Sequence, residues 1–258
     1  MKEKLLILGD SFAHTREELP DFSGKAWTKL LEEGNDYRVM NKAIGGSSLY
    51  YSYKEFNRLH QEFDKVMLVI TQAGRLYCPI IGETDKLNTS SSHHTGTFWI
   101  DQNKDRIKKQ QPHNLAAIKQ LDAIRDYFLY ILDWEKDKEM NQLMLDDIKR
   151  IRPDTILVPA FQASWTTLPQ PISWLDQISD MEMKHYNITH DDLNKKDGHA
   201  DCRKCHMSER NNQILYEKSL KWLKGHPVEF DISEFEKPNE PREKYFPMRK
   251  EWEMRLGK

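Results

Sequence analysis

Lys4-Leu5-Leu6-Ile7-Leu8-Gly9-Asp10-Ser11-Phe12 is the most informative stretch of the chain. Four consecutive apolar residues run straight into Gly-Asp-Ser, which is the pattern of a buried strand ending on a turn. Such a strand delivers Ser11 to the carboxyl edge of a sheet. Open α/β sheets place their chemistry there, because strand-tip loops and the amino ends of the following helices meet at that edge. Gly9 lets the backbone turn sharply, and Ser11 would present a hydroxyl and a backbone N–H at the start of the next segment. The tripeptide alone is equally an ordinary polar turn; its position against the first strand, and the order of the parts that follow, give it weight.

Outward from this stretch the chain repeats a βα pattern. Trp27 to Leu31 carries helical spacing up to Gly34, and Tyr37 to Asn41 reads as a second strand entering the turn Ala43-Ile44-Gly45-Gly46-Ser47-Ser48. The glycines of that turn bring backbone N–H groups within reach of a ligand. Tyr50 to Phe63 is helix-like, and Asp64 to Thr71 is a continuous apolar strand of the kind a parallel sheet buries on both faces, ending at Gln72-Ala73-Gly74-Arg75. Residues 76–113 break the pattern and read as an insertion, with a polar loop through His93 and His94 that has no nearby partners for a metal. Leu115, Ile118, Leu121, Ile124, Phe128, Ile131 and Leu132 then share a helical face with Asn114 as N-cap, and Leu143, Leu145, Ile148 and Ile151 share another, both expected to face the core. Asp154 to Ala160 is a fourth strand. Trp165 to Ile178 is an aromatic, proline-containing stretch read as a loop, and a helix runs from about Ser208 to Leu223. Repeated strand-to-helix units predict an α/β fold with a parallel sheet in one domain over 1–225, and a charged extension over 226–258 wrapped on it or used in self-association to a homo-oligomer.

Composition limits the partners. The 258 residues suffice for a full core, and 10 Phe, 10 Tyr and 7 Trp offset a low hydrophobic fraction of 38%. A formal charge of −2 argues against a general nucleic-acid binder. No run of about 18 apolar residues exists to span a membrane. The apolar run after Lys4 is too short for an export signal, so a cytoplasmic location is expected. Three cysteines make no disulfide framework.

Strand to Gly9-Asp10-Ser11, strand to Gly45-Gly46, strand to a polar tip at 72–75, and a late histidine in His206-Met207-Ser208-Glu209 ahead of a helix: in this order the chain resembles the SGNH (GDSL-type) hydrolases. The resemblance covers roughly residues 4 to 223 and rests on short motifs. It implies a three-layer α/β/α fold around a mostly parallel, flavodoxin-like sheet, an ester-hydrolase activity and no cofactor. Carried over, Ser11 is the nucleophile and His206 the base that takes its proton and returns it to the leaving group. Gly45 or Gly46 adds a backbone donor beside the Ser11 N–H. Asp10, Gly45, Gly46, Gln72 and Arg75 make up the oxyanion and substrate-binding set.

Two blocks depart from the family. The third usually reads Gly-x-Asn-Asp, whereas Thr71-Gln72-Ala73-Gly74-Arg75 stands here, so Gln72 or Arg75 is the candidate for a donor whose loss typically raises the barrier by about 2.7–4 kcal/mol. In the last block Arg203 occupies the aspartate position; Asp201 is preferred as the orienting carboxylate, Asp197 comes second, and Asp197 with His199 forms an alternative dyad. Three functions stand open: a serine hydrolase on a small or carbohydrate acyl ester, with Trp165, Trp174 and the insertion shaping its cleft; a binding module that keeps the fold without efficient chemistry; and a zinc or redox protein. The last would use His199, Cys202, Cys205 and His206, and Cys202-Arg203-Lys204-Cys205-His206 also spells the c-type haem attachment pattern. Four zinc ligands within eight residues are crowded, and haem attachment requires export.

Overall fold

Every residue from Leu5 to Leu8 is fully buried, which requires cover on both faces of the strand that holds them. In the computed structural model this strand, β1 (Glu3–Leu8), lies inside a four-stranded sheet of order β2-β1-β3-β4, with β2 Tyr37–Asn41, β3 Lys65–Ile70 and β4 Ile156–Pro159. All three pairings are parallel; the registers set Leu5 beside Val39 and Lys65, and Met67 beside Ile156. The structure describes residues 2–15, 25–73, 75, 77, 104–105, 107–109, 112–161, 166, 175–185, 207–229 and 231–237.

Successive strand residues point to opposite faces, so β1, β3 and β4 feed two cores, whereas β2 at the edge buries only its Tyr37 and Val39 face. Leu5, Ile7, Met67, Val69 and Val158 enter one, together with Trp27 and Leu31 of α1 (Trp27–Glu33), Leu175 and Ile178 of α5 (Leu175–His185), and Leu215, Trp222 and Leu223 of α6 (Glu209–Leu223). Leu6, Leu8, Val66, Leu68 and Ile70 enter the other, with Leu49, Phe56 and Leu59 of α2 (Leu49–Leu59) and Leu145 and Ile148 of α4 (Trp134–Ile151). The result is a three-layer α/β/α arrangement. At about 1.5–3 kcal/mol for each fully buried large aliphatic side chain, these two clusters hold the sheet between its helices. Phe235, beyond α6, is buried in the first cluster.

Two expected core faces are narrower than their spacing suggests. Leu115 and Leu143 are each 61% exposed and Ile131 67%. In α3 (Leu115–Asp126) the inward stripe is Ala117, Leu121 and Ile124, and Leu115 sits about 200° around the helix from Ala117. A π-helical turn, Tyr127–Ile131, then closes with Leu132 N–H donating to the Tyr127 carbonyl; its wider turn shifts the helical phase and carries Leu129, Tyr130 and Ile131 outward. In α4, Leu143 is likewise out of phase with Leu145 and Ile148. The stretch expected as a loop up to Ile178 contains the start of α5. Among the described residues no helix is long and apolar enough to cross a membrane.

Candidate active site

From β1 the chain winds out to β2, then crosses back over β1 to β3 and β4 on its other side. Loops leaving the carboxyl ends of β1 and β3 therefore diverge, and a crevice at such a switch point is where open α/β sheets bind ligands. Ser11 follows β1, and Gln72 and Arg75 follow β3.

The β1 tip is held from several sides. Gly9 adopts φ +143°, and a Cβ there would come within 2.7 Å of Val69 Cβ and 3.1 Å of the Val69 carbonyl on β3, so only glycine fits the turn. Asp10 then closes a tight turn: its carbonyl accepts from Ala13 N–H at 3.0 Å, and its Oδ1 from Phe12 N–H at 3.1 Å. Ser11 sits inside this turn with 9% of its surface exposed. Trp27 Nε1–H, at the start of α1, donates to the Phe12 carbonyl at 2.6 Å.

The glycine loop after β2 is tied to the same point. The Gly9 carbonyl accepts from Ile44 N–H at 3.1 Å and from the Ser47 hydroxyl at 2.7 Å. Asn41 Nδ2–H donates to the Ala13 carbonyl at 2.8 Å, while its Oδ1 accepts from Ala43 N–H at 2.9 Å. His14 Nδ1 lies 2.9 Å from the Ala43 carbonyl. Gly46 takes φ +78°, and Ser48 caps α2 by accepting from Tyr51 N–H. Gly45 and Gly46 are thereby held half-buried ahead of a helix amino end, where backbone N–H groups and the helix dipole favour negative charge.

Arg75 joins the tips of all four strands. Its Nη1 donates to Asp10 Oδ2 at 2.9 Å and to the Ser47 carbonyl at 3.2 Å, and its guanidinium carbon lies 5.2 Å from the centre of the Phe161 ring, just past β4. Phe161 in turn meets Phe12 edge-on at 5.3 Å. Asp10 Oδ2 also accepts from the Thr71 hydroxyl at 2.7 Å. Burial pushes the Arg75 guanidinium below its ordinary pKa, and the Asp10 carboxylate acts against that shift; an arginine remains charged in such a setting. Arg75 Nε and Gln72 Oε1 are buried with no hydrogen-bond partner among the described residues.

Asp10, Ser11, Gly45, Gly46, Gln72 and Arg75 thus converge on one edge of the sheet. His206, Asp201, Asp197, His199, Cys202, Cys205, Trp165 and Trp174 lie outside the described residues, as does most of the 76–113 stretch. Among the described residues no group of three or more His, Cys, Asp or Glu side chains comes together as a metal site. Ser47, Thr71 and Phe161 have no motif of their own, and their only signal in the sequence is a place at a strand tip.

No family model matches the chain, and no curated protein matches it. Among solved structures it is similar to a catalytic mutant of Axe2, an acetylxylan esterase from Geobacillus stearothermophilus, at 16% identity over 89% of this chain and 97% of that one, with a TM-score of 0.36. It is also similar to TesA, at 15% identity over 86% of this chain and 98% of that one, with a TM-score of 0.32.

Proposed function

We propose that the chain is a serine ester hydrolase acting on a small acyl or carbohydrate O-acyl ester. The observation that carries this reading is the place of Ser11: in a tight turn at the switch point, beside a glycine loop bonded to the Gly9 carbonyl. Ser11 Oγ attacks the acyl carbonyl as His206 takes its proton, and Asp201 orients the imidazole, with Asp197 the second candidate. The Ser11 N–H and a Gly45 or Gly46 N–H receive the developing oxyanion. Collapse of the tetrahedral intermediate expels the alcohol, which leaves with the proton from His206. Water then releases the acid by the same steps and restores Ser11.

Arg75 has two parts in this scheme. Nη1 holds Asp10 and Ser47, and so the loops that carry Ser11 and the two glycines; Nε–H, without a partner among the described residues, and Gln72 are the candidate substrate contacts at the β3 tip. Because Asp10 neutralises the guanidinium, the pair suits a neutral ester rather than an acidic one.

Turnover of 4-nitrophenyl acetate and of acetylated sugars by wild type, Ser11→Ala and His206→Ala tests the reading. Loss of turnover in both variants, each still folded, supports it. A folded wild type inert toward all these esters favours instead a binding module, the reading suited to a third block without its asparagine.

A further inference from the structure

We infer that Glu182 is a positioning residue for the proposed base, acting through the start of α6; this rests on the hydrolase reading above. Glu182, on α5, is fully buried. Its two carboxylate oxygens accept from Ser208 N–H at 2.8 Å each, and one of them also accepts from the Asn211 side-chain amide. Ser208 is the N-cap of α6 and follows His206 by two residues.

Other buried groups grip the same point. Asn212 Nδ2–H donates to the carbonyls of Met207 and Ser208 at 3.0 Å each, while its Oδ1 accepts from Trp27 N–H, also at 3.0 Å. Asn211 exchanges hydrogen bonds with the backbone of Glu236, donating at 2.7 Å and accepting at 2.8 Å. Glu182 of α5 and Asn212 therefore hold residues 207 and 208 directly, while α1 and the 231–237 stretch fasten Asn212 and Asn211 in the first turn of α6.

Docking α6 does not need this arrangement. Leu215, Trp222 and Leu223 already supply an apolar stripe, and the Ser208 hydroxyl caps the helix by accepting from Asn211 N–H. A buried carboxylate and two buried amides are costly unless each is paired, and their pairing adds directional hold on the backbone. That hold falls directly after the residue proposed as base. A general base has to stand within about 2.6–3.2 Å of the group it deprotonates, and a displacement of about 1 Å can cost on the order of 10²-fold in rate. The carboxylate of Glu182 thus serves to fix where the chain enters α6.

The test compares wild type with Glu182→Gln and Asn211→Ala in kcat and KM on 4-nitrophenyl acetate, with circular dichroism to verify folding. It repeats Glu182→Gln in the His206→Ala background. In Glu182→Gln the turnover rate is expected to fall 10-fold or more, and in Asn211→Ala about 3-fold, with KM within 2-fold in both. Residual rate is expected to change by less than 2-fold when His206 is already absent. A role in stability alone would move the melting temperature and leave kcat per folded molecule unchanged. Wild-type kcat in folded Glu182→Gln, or an equal fall with and without His206, overturns the positioning role while leaving the hydrolase reading intact. Should Glu182→Gln not fold, wild-type kcat in folded Asn211→Ala overturns it. A wild type in which Ser11 proves unreactive overturns both.

Discussion

Arg75 Nη1 stands 2.9 Å from Asp10 Oδ2, and the two side chains are 6% and 0% exposed. This buried pair joins β3 to the residue just before Ser11, and the same Nη1 reaches the glycine loop through the Ser47 carbonyl. Removing one partner from such a pair leaves an uncompensated charge, which typically costs about 3–5 kcal/mol, whereas replacing both is far milder. Arg75→Ala is therefore expected to destabilise the fold by about 3–5 kcal/mol in urea unfolding, and Asp10→Asn combined with Arg75→Met by clearly less. Arg75→Lys keeps the charge but loses the planar guanidinium that lies over the Phe161 ring, and is expected to fall between them.

Gly9→Ala tests the β1 turn. The residue would keep φ near +143° with its Cβ 2.7 Å from Val69 Cβ and 3.1 Å from the Val69 carbonyl, the second of which belongs to a strand backbone. Strain and overpacking together are expected to lower stability by about 2–5 kcal/mol, read from the urea midpoint at constant m-value.

Tyr51 gives a pH dependence. Its hydroxyl donates to the Lys42 carbonyl at 3.1 Å, and its pKa is pushed up to about 12, first by burial and then by Glu55. In the unfolded chain the phenol ionises near 10, so between pH 10 and 12 the unfolded state binds fewer protons than the folded one. Stability from the neutral phenol is complete below pH 10 and declines as pH rises toward 12. Tyr51→Phe keeps the ring and removes this step; its urea midpoint is expected to fall less than that of wild type between about pH 9.5 and 11.5. Equal slopes in both proteins would contradict the assignment.

The parts legible in the sequence are those dictated by local pattern. Leu5 to Leu8 and Val66 to Ile70 are continuous apolar runs because both sheet faces are covered, and runs of this kind identify central parallel strands. Gly9 announces its own turn, and the order of strand tips puts Ser11, Gly46 and Arg75 at one edge. What depends on distant partners is hidden. Glu182 interrupts the apolar spacing of Leu175 and Ile178, so α5 does not read as a core helix until Ser208 and Asn211, 26 and 29 positions away, are known to satisfy the carboxylate. Asn212 looks like a surface residue, yet it is buried against Trp27, 185 positions earlier. Spacing also overstates the faces of α3 and α4: Leu115 and Leu143 are out of phase with the buried stripes of their own helices, and a π-helical turn that local composition does not mark carries Ile131 outward.

The central claim, that Ser11 is an activated nucleophile, is tested most directly by exposing the purified chain to a fluorophosphonate probe and locating the adduct by mass spectrometry, with Ser11→Ala and His206→Ala treated identically. The account predicts an adduct on Ser11 in wild type, none in Ser11→Ala, and labelling in His206→Ala slowed by about 10²-fold or more. A folded wild type that takes up no probe, or one labelled on Ser11 at the same rate with and without His206, would contradict it.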